Sequence, residues 1–191
     1  MTTELINLEE AAHEVRLASV RLALLHLAYA ETLVQSLGEE EGRELILKAI
    51  KTYGQMIGQE VREKVLSQGL PPLPENYGKG VSRDLPRFGM HERVEEVEVD
   101  GETRIRAYGC VLAEVWKRYG KDKLGRLYCY VDLAKYMAYN PEYKLAHAKA
   151  VPDGDSYCEF CIRSTTPAER HAFQKLSGGE LPTLDQCSIS D

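Results

Sequence analysis

The chain has 191 residues, 43% of them hydrophobic and 28% charged, with a formal net charge of −6. A length of this order suits one domain that buries roughly 70% of its unfolded surface, so its core needs neither structural metal nor disulfides. The acidic balance excludes nucleic acid as a partner, because phosphate binding needs a clustered basic face.

From Leu8 to Gln68 the pattern is helical. Val15, Ala18, Leu22, Leu25 and Tyr29 recur at spacings of three and four, as one buried face requires. Gly38, free to adopt a left-handed C′ conformation, ends this helix. No unbroken apolar run of about 18 residues is seen, so no membrane span is expected. Met1-Thr2-Thr3-Glu4 lacks the basic and apolar blocks of a signal peptide. A second helix carries Leu45, Ala49, Tyr53, Ile57, Val61 and Val65, four apart, and stops at Gly69-Leu70-Pro71-Pro72. Gly54 and Gly58 inside it each cost about 1 kcal/mol relative to Ala, which implies close approach of another backbone. Residues 71–88, rich in Pro and Gly, read as a connector, with a lid as the alternative.

The second half alternates. Arg93–Val99 and Thr103–Ala107 flank Asp100-Gly101, a hairpin closed by a type I′ turn. A helix follows from Val111 to Tyr119, and the basic residues Lys117, Arg118, Lys121 and Lys123 suit the negative end of its dipole. Gly125 to Val131 reads as extended. Asp132 then caps a helix from Leu133 to Tyr139 that Asn140-Pro141 stops. Tyr143–Val151 and Ser156–Arg163 form a second strand pair around Pro152-Asp153-Gly154-Asp155. Thr166-Pro167 starts a last helix running to Leu176, and residues 177–191 read as a loosely held tail. The expected fold is α+β, an N-terminal helical hairpin packed on an antiparallel sheet with short helices. It is one domain, with a helical half (8–70), a connector (71–88), a sheet half (89–176) and the tail.

Five cysteines (Cys110, Cys129, Cys158, Cys161, Cys187) in a chain expected to be cytoplasmic are read as thiols. Cys129 stands just before the expected helix N-terminus, where dipole and free N–H groups favour thiolate. A nucleophile also needs a base, and His147 on the following strand is the candidate. Asp132 caps its helix and is available to orient an amine or a histidine. The Cys158/Cys161 pair has Cys-x-x-Cys spacing, but on a strand residues three apart point to opposite faces. Cys110, Cys129 and Cys158 together form an alternative metal set. Asp153 and Asp155 bracket a glycine turn. Tyr128 and Tyr130 are pocket-wall candidates with a polar tip, against ordinary half-buried packing.

Tyr128-Cys129-Tyr130-Val131-Asp132, the following Asn140-Pro141, and Gly154-Asp155-Ser156-Tyr157-Cys158-Glu159-Phe160 resemble the L-2-amino-thiazoline-4-carboxylic acid hydrolase family. More distantly, the last motif is similar to 4-vinyl-reductase-type small-molecule-binding domains, some of which hold zinc through cysteines. The first resemblance implies ring-opening hydrolysis of a cyclic amidine or thiazoline-like substrate, with Cys129, His147 and Asp132 catalytic. Tyr128, Tyr130, Asn140 and Asp155 then bind the substrate, without a cofactor. The second implies a non-catalytic binding domain, with zinc on the cysteines. Under either, the expected partner is a small molecule, not a membrane, and a homo-oligomer stays open.

Overall fold

The computed structural model describes residues 7–80 and 87–187. The stretch Met1-Thr2-Thr3-Glu4 and the connector residues 81–86, on which the lid alternative depends, lie outside the described residues. Two long helices, α1 (Leu8–Leu37) and α2 (Glu39–Ser67), form the expected hairpin, with Gly38 between them at a φ of 87°. The Asn7 side chain caps α1 by accepting from the Glu9 amide at 2.9 Å.

The buried faces differ from those expected. Helix α1 buries Ser19, Ala23, His26, Leu27 and Ala30, while Ala18, Leu25 and Tyr29 are exposed. Helix α2 buries Ile46, Leu47 and Ile50 rather than Leu45 and Ala49, and follows the expected stripe from Ile57, which is partly buried, to Val61 and Val65. The reason is that α1 is apolar around most of its circumference, so periodicity alone cannot select the face. Its packing partners do, and they favour small side chains. Helix α1 is also long and apolar enough, by length and composition, to cross a membrane, contrary to the reading above. Between Leu17 and Val34 it carries only Arg21 and Glu31 as full charges, and a minority of it is buried.

A short 3-10 helix (Pro74–Lys79) and the distorted turn α3 (Arg87–Met90) follow. Strands β1 (Arg93–Val99) and β2 (Glu102–Tyr108) form the expected hairpin. Asp100 and Gly101 both have positive φ, 53° and 78°, as a type I′ turn requires. Helix α4 (Val111–Arg118) is as expected, but α5 (Asp122–Cys129) replaces the extended segment. Leu124, Leu127 and Tyr128 lie three and four apart and face the core, which is helical rather than strand spacing. Helix α6 (Val131–Tyr139) follows after Tyr130 alone. Strands β3 (Tyr143–Lys149) and β4 (Cys158–Ser164) complete an antiparallel four-stranded sheet in the order β1-β2-β4-β3. Thr166 opens α7 (Pro167–Phe173) with a full capping box to Glu169.

The glycine reading holds. A Cβ at Gly54 would lie 2.6 Å from Ala134 Cβ, and one at Gly58 would lie 2.8 Å from Ala138 Cβ, so α2 rests directly on α6. The tail reading does not hold. Helix α8 (Leu181–Leu184) buries both its leucines beside Ile46, Leu127 and Phe173. Glu180 pairs with buried Lys51, which also donates to the Lys175 and Ser177 carbonyls. A disulfide joins Cys161 to Cys187, so two of the five cysteines are not thiols. The tail is thus tied to α2, to α5 and to β4.

Candidate active site

Cys129 is the last residue of α5, and Asp132 falls within the first turn of α6 rather than at its cap. No side chain caps α6, because Tyr130 between the helices already has helical dihedrals. The helix-start argument for a thiolate therefore loses its basis, since Cys129 also sits at the unfavourable end of α5. Burial pushes its thiol well above the usual range; Arg126 opposes that, while Cys110, Cys158 and Asp132 reinforce it. Burial likewise raises Cys110, against the pull of the Ala113 and Leu112 amides. Cys158 is pushed up to about 12, mainly by burial, although the Val151 amide donates to its sulfur at 3.5 Å. Three protonated thiols therefore gather between α4, α5 and β4.

His147 sits on β3 where the register with β4 slips between His147 and Lys149, a bulge that re-aims the side chain. Its ring is buried against Phe160 at a centroid distance of 4.6 Å. Nδ1 lies 3.1 Å from both Asp185 carboxylate oxygens, and the His147 backbone amide donates to the same carboxylate at 2.9 Å. Burial works against the Asp185 charge, but His147 and Arg126 hold its carboxyl below the usual carboxylate range. Nε2 lies 3.9 Å from Asp132 Oδ2, and a proton on Nδ1 shared with Asp185 leaves Nε2 as the nitrogen able to accept one. Asp132 is in turn paired with Lys135 at 2.9 Å. Asp132 thus stands beside His147 and within the electrostatic reach of Cys129. Among the described residues no hydrogen bond joins Cys129 to His147 directly.

The remaining expected residues take other work. Tyr128 packs edge-on to His26 and beside Trp116 and Tyr53; burial and the Tyr53 hydroxyl keep it protonated. Tyr130 lies under the Arg126 guanidinium at 4.5 Å. Asn140 ends α6, donates to the Pro72 carbonyl at 2.8 Å and accepts from the Glu142 amide at 3.0 Å, so it fastens the connector away from Cys129. Asp155 accepts from the Ala150 amide at 2.9 Å, the expected turn chemistry. Cys158 and Cys161 do face opposite sides, the first toward the free thiols and the second into the disulfide. Among the described residues no three His, Cys, Asp or Glu side chains are arranged to hold a metal, which includes the set Cys110, Cys129 and Cys158. An open groove of about 480 Å³ lies nearby, lined by Lys117 and by residues 120–124 and 151–155. It shares Leu124 and Val151 with the cluster that Cys129 joins.

Residues 19–162 match L-2-amino-thiazoline-4-carboxylic acid hydrolase. The chain belongs to that family. No curated protein and no solved structure matches it. The hydrolase match covers Arg126, Cys129, Asp132 and His147 and stops before Asp185 and Cys187. Sequence reasoning missed two residues of this candidate site, Arg126 and Asp185. Arg126 was readable only once α5 was known to be a helix, because i and i+3 then share a face. Asp185 carried no local signal beyond two neighbouring leucines, Leu181 and Leu184, at helical spacing.

Proposed function

We propose that the chain is a hydrolase that opens a small cyclic amidine or thiazoline-like substrate, with Cys129 as nucleophile. The observation that carries this reading is the line Asp185–His147–Asp132, whose last member interacts electrostatically with Cys129. A base held in one tautomer by a buried carboxylate is the arrangement that nucleophilic sites use. The gap of 3.9 Å between the Nε2 lone pair and Asp132 Oδ2 suits an N–H donor such as an amidinium. Cys129 passes its thiol proton to His147 Nε2 as its sulfur attacks the ring carbon between nitrogen and sulfur, and the ring C–S bond breaks as His147 returns that proton to the leaving sulfur. Water then adds to the same carbon, giving its proton to His147, and the Cys129 thiolate departs to leave a carbamoyl product. Asp132 holds the amidinium charge through both steps.

The test is release of free thiol from L-2-amino-thiazoline-4-carboxylate by the intact protein. Cys129→Ser is expected to abolish turnover with little change in melting temperature, since the alcohol is similar in shape but far harder to ionise. His147→Ala is expected to cost on the order of 10²–10⁴ in rate. Asp185→Asn is expected to cost a similar factor, because an amide can stabilise the wrong tautomer. Turnover by Cys129→Ser at the wild-type rate overturns the reading.

A second reading, a non-catalytic small-molecule-binding domain, draws on the groove beside rather than over Cys129 and on the thiols held protonated by burial. It predicts substrate-analogue binding that Cys129→Ser and His147→Ala leave unchanged, with no thiol released by any variant.

A further inference from the structure

Arg126 sits one turn before Cys129 on α5, so the two side chains leave the same face of the helix. Its guanidinium is clamped on two sides. Nε donates to Asp153 Oδ2 at 2.8 Å, from the turn after β3, and Nη2 donates to Asp185 Oδ2 at 2.7 Å, from the tail. The plane lies over the Tyr130 ring. The third nitrogen, Nη1, is buried and has no hydrogen-bond partner among the described residues. Buried charged donors are almost always satisfied, and an exception calls for a reason. Two fixed nitrogens in a planar fork also fix the direction of the third.

The surroundings say what that nitrogen is for. Burial works against the Arg126 charge, which Asp185 and Asp153 support, and a negative sulfur at Cys129 would attract it more strongly than Asp185 does. Besides the Tyr130 hydroxyl of the next residue, the charged and titratable groups that face Cys129 are Arg126 on its own helix, Cys110 at the start of α4, Cys158 on β4 and Asp132 on α6. The last three all oppose a negative sulfur, and Arg126 alone of the four favours one.

We propose that Arg126 is the residue that activates Cys129, its free Nη1–H donating to the sulfur once the thiol has lost its proton. Asp153 and Asp185 act as the clamp that aims it. The orphan donor is the resting-state cost of a hydrogen bond made only to the thiolate. Arg126 is thus a positioning residue for the nucleophile, and Asp185 serves both partners, orienting His147 with one oxygen and Arg126 with the other. The inference rests on Cys129 being the nucleophile of the proposed hydrolase, but its test needs no turnover.

The experiment is the pH profile of iodoacetamide labelling at each free cysteine of the full chain, read by peptide mass spectrometry, for wild type, Arg126→Gln and Arg126→Lys. Cys110 is the internal reference, because Arg126 is not among the groups that shift it. Arg126→Gln is expected to move the Cys129 profile upward by at least one pH unit while leaving that of Cys110 in place. Arg126→Lys, which keeps the charge but not the fork, is expected to fall between. An unchanged Cys129 profile in Arg126→Gln overturns the proposal. So does a joint shift of Cys110 and Cys129, which would mean that the clamp only holds the fold together. If Cys129→Ser abolishes turnover and Arg126→Gln leaves the labelling profile unmoved, Arg126 fails and the hydrolase reading stands. The reverse pattern sinks the hydrolase and keeps the Arg126–Cys129 pair.

Discussion

Gly58→Ala tests whether the contact between α2 and α6 sets the site. A methyl group there would stand 2.8 Å from Ala138 Cβ and 2.9 Å from the Lys135 carbonyl carbon, with the carbonyl oxygen closer still. Ordinary contact begins near 3.4 Å, so one helix has to retreat by about 1 Å. Helix propensity favours Ala by about 1 kcal/mol. Overpacking costs about 1–3 kcal/mol, and backbone rather than a flexible side chain is what must give, so the upper end applies. The net expectation is destabilisation by about 1–2 kcal/mol, or roughly 2–8 °C in melting temperature for a chain of this size. Helix α6 carries Asp132 and Lys135, so the same retreat is expected to lower turnover more than heat stability alone explains. Circular-dichroism melts of Gly58→Ala and of the control Gly78→Ala, where a Cβ meets nothing within 4 Å, decide the matter. A Gly58→Ala protein as stable as wild type would refute the reasoning, since propensity would then have outweighed contact.

Cys187→Ser opens a link spanning 26 residues, which loop entropy values at about 3.5 kcal/mol. Urea melts with and without a thiol reductant should show that loss in wild type and no further loss in the variant. Stability should also fall at alkaline pH. A thiol whose pKa is raised by folding, such as Cys158 at about 12 against 9.0, contributes stability that is complete below pH 9.0 and lost between the two values. Cys158→Ala should flatten that limb of the stability curve, measured by urea melts from pH 8 to 11. An equally steep limb in the variant would place the effect elsewhere.

Local rules carried the sequence reading as far as local interactions decide the structure. The hairpin at Asp100-Gly101, the capping box at Thr166 and the break at Gly38 are settled within a few residues, and they were legible. Gly54 and Gly58 were legible for a different reason, because their cost in a helix demands a compensating contact. The run Gly125–Cys129 was misread because glycine and alternating tyrosines suggest a strand, whereas Gly125 is there to let α5 press against the Trp116 ring. The face of α1 was misread because almost every turn offers an apolar side chain. Only partners such as Trp116, which donates to the Ala23 carbonyl at 3.3 Å, decide between them.

The tail is the instructive case. Residues 177–187 have few apolar side chains, and nothing near them in sequence foretells order. Their order comes from four distant anchors: Lys51 to Glu180, Arg126 and His147 to Asp185, and Cys161 to Cys187. Two of these anchors are the polar groups around the proposed nucleophile. A buried Asp185 charge is tolerable only because Arg126 and His147 meet it, and their own geometry is fixed by the same carboxylate. Site and tail therefore form one unit, in which losing either the disulfide or the carboxylate loosens the other. The family resemblance stops at residue 162, yet the carboxylate that orients His147 lies beyond it. Activity in this chain should accordingly track the attachment of a segment that lies outside the matched residues.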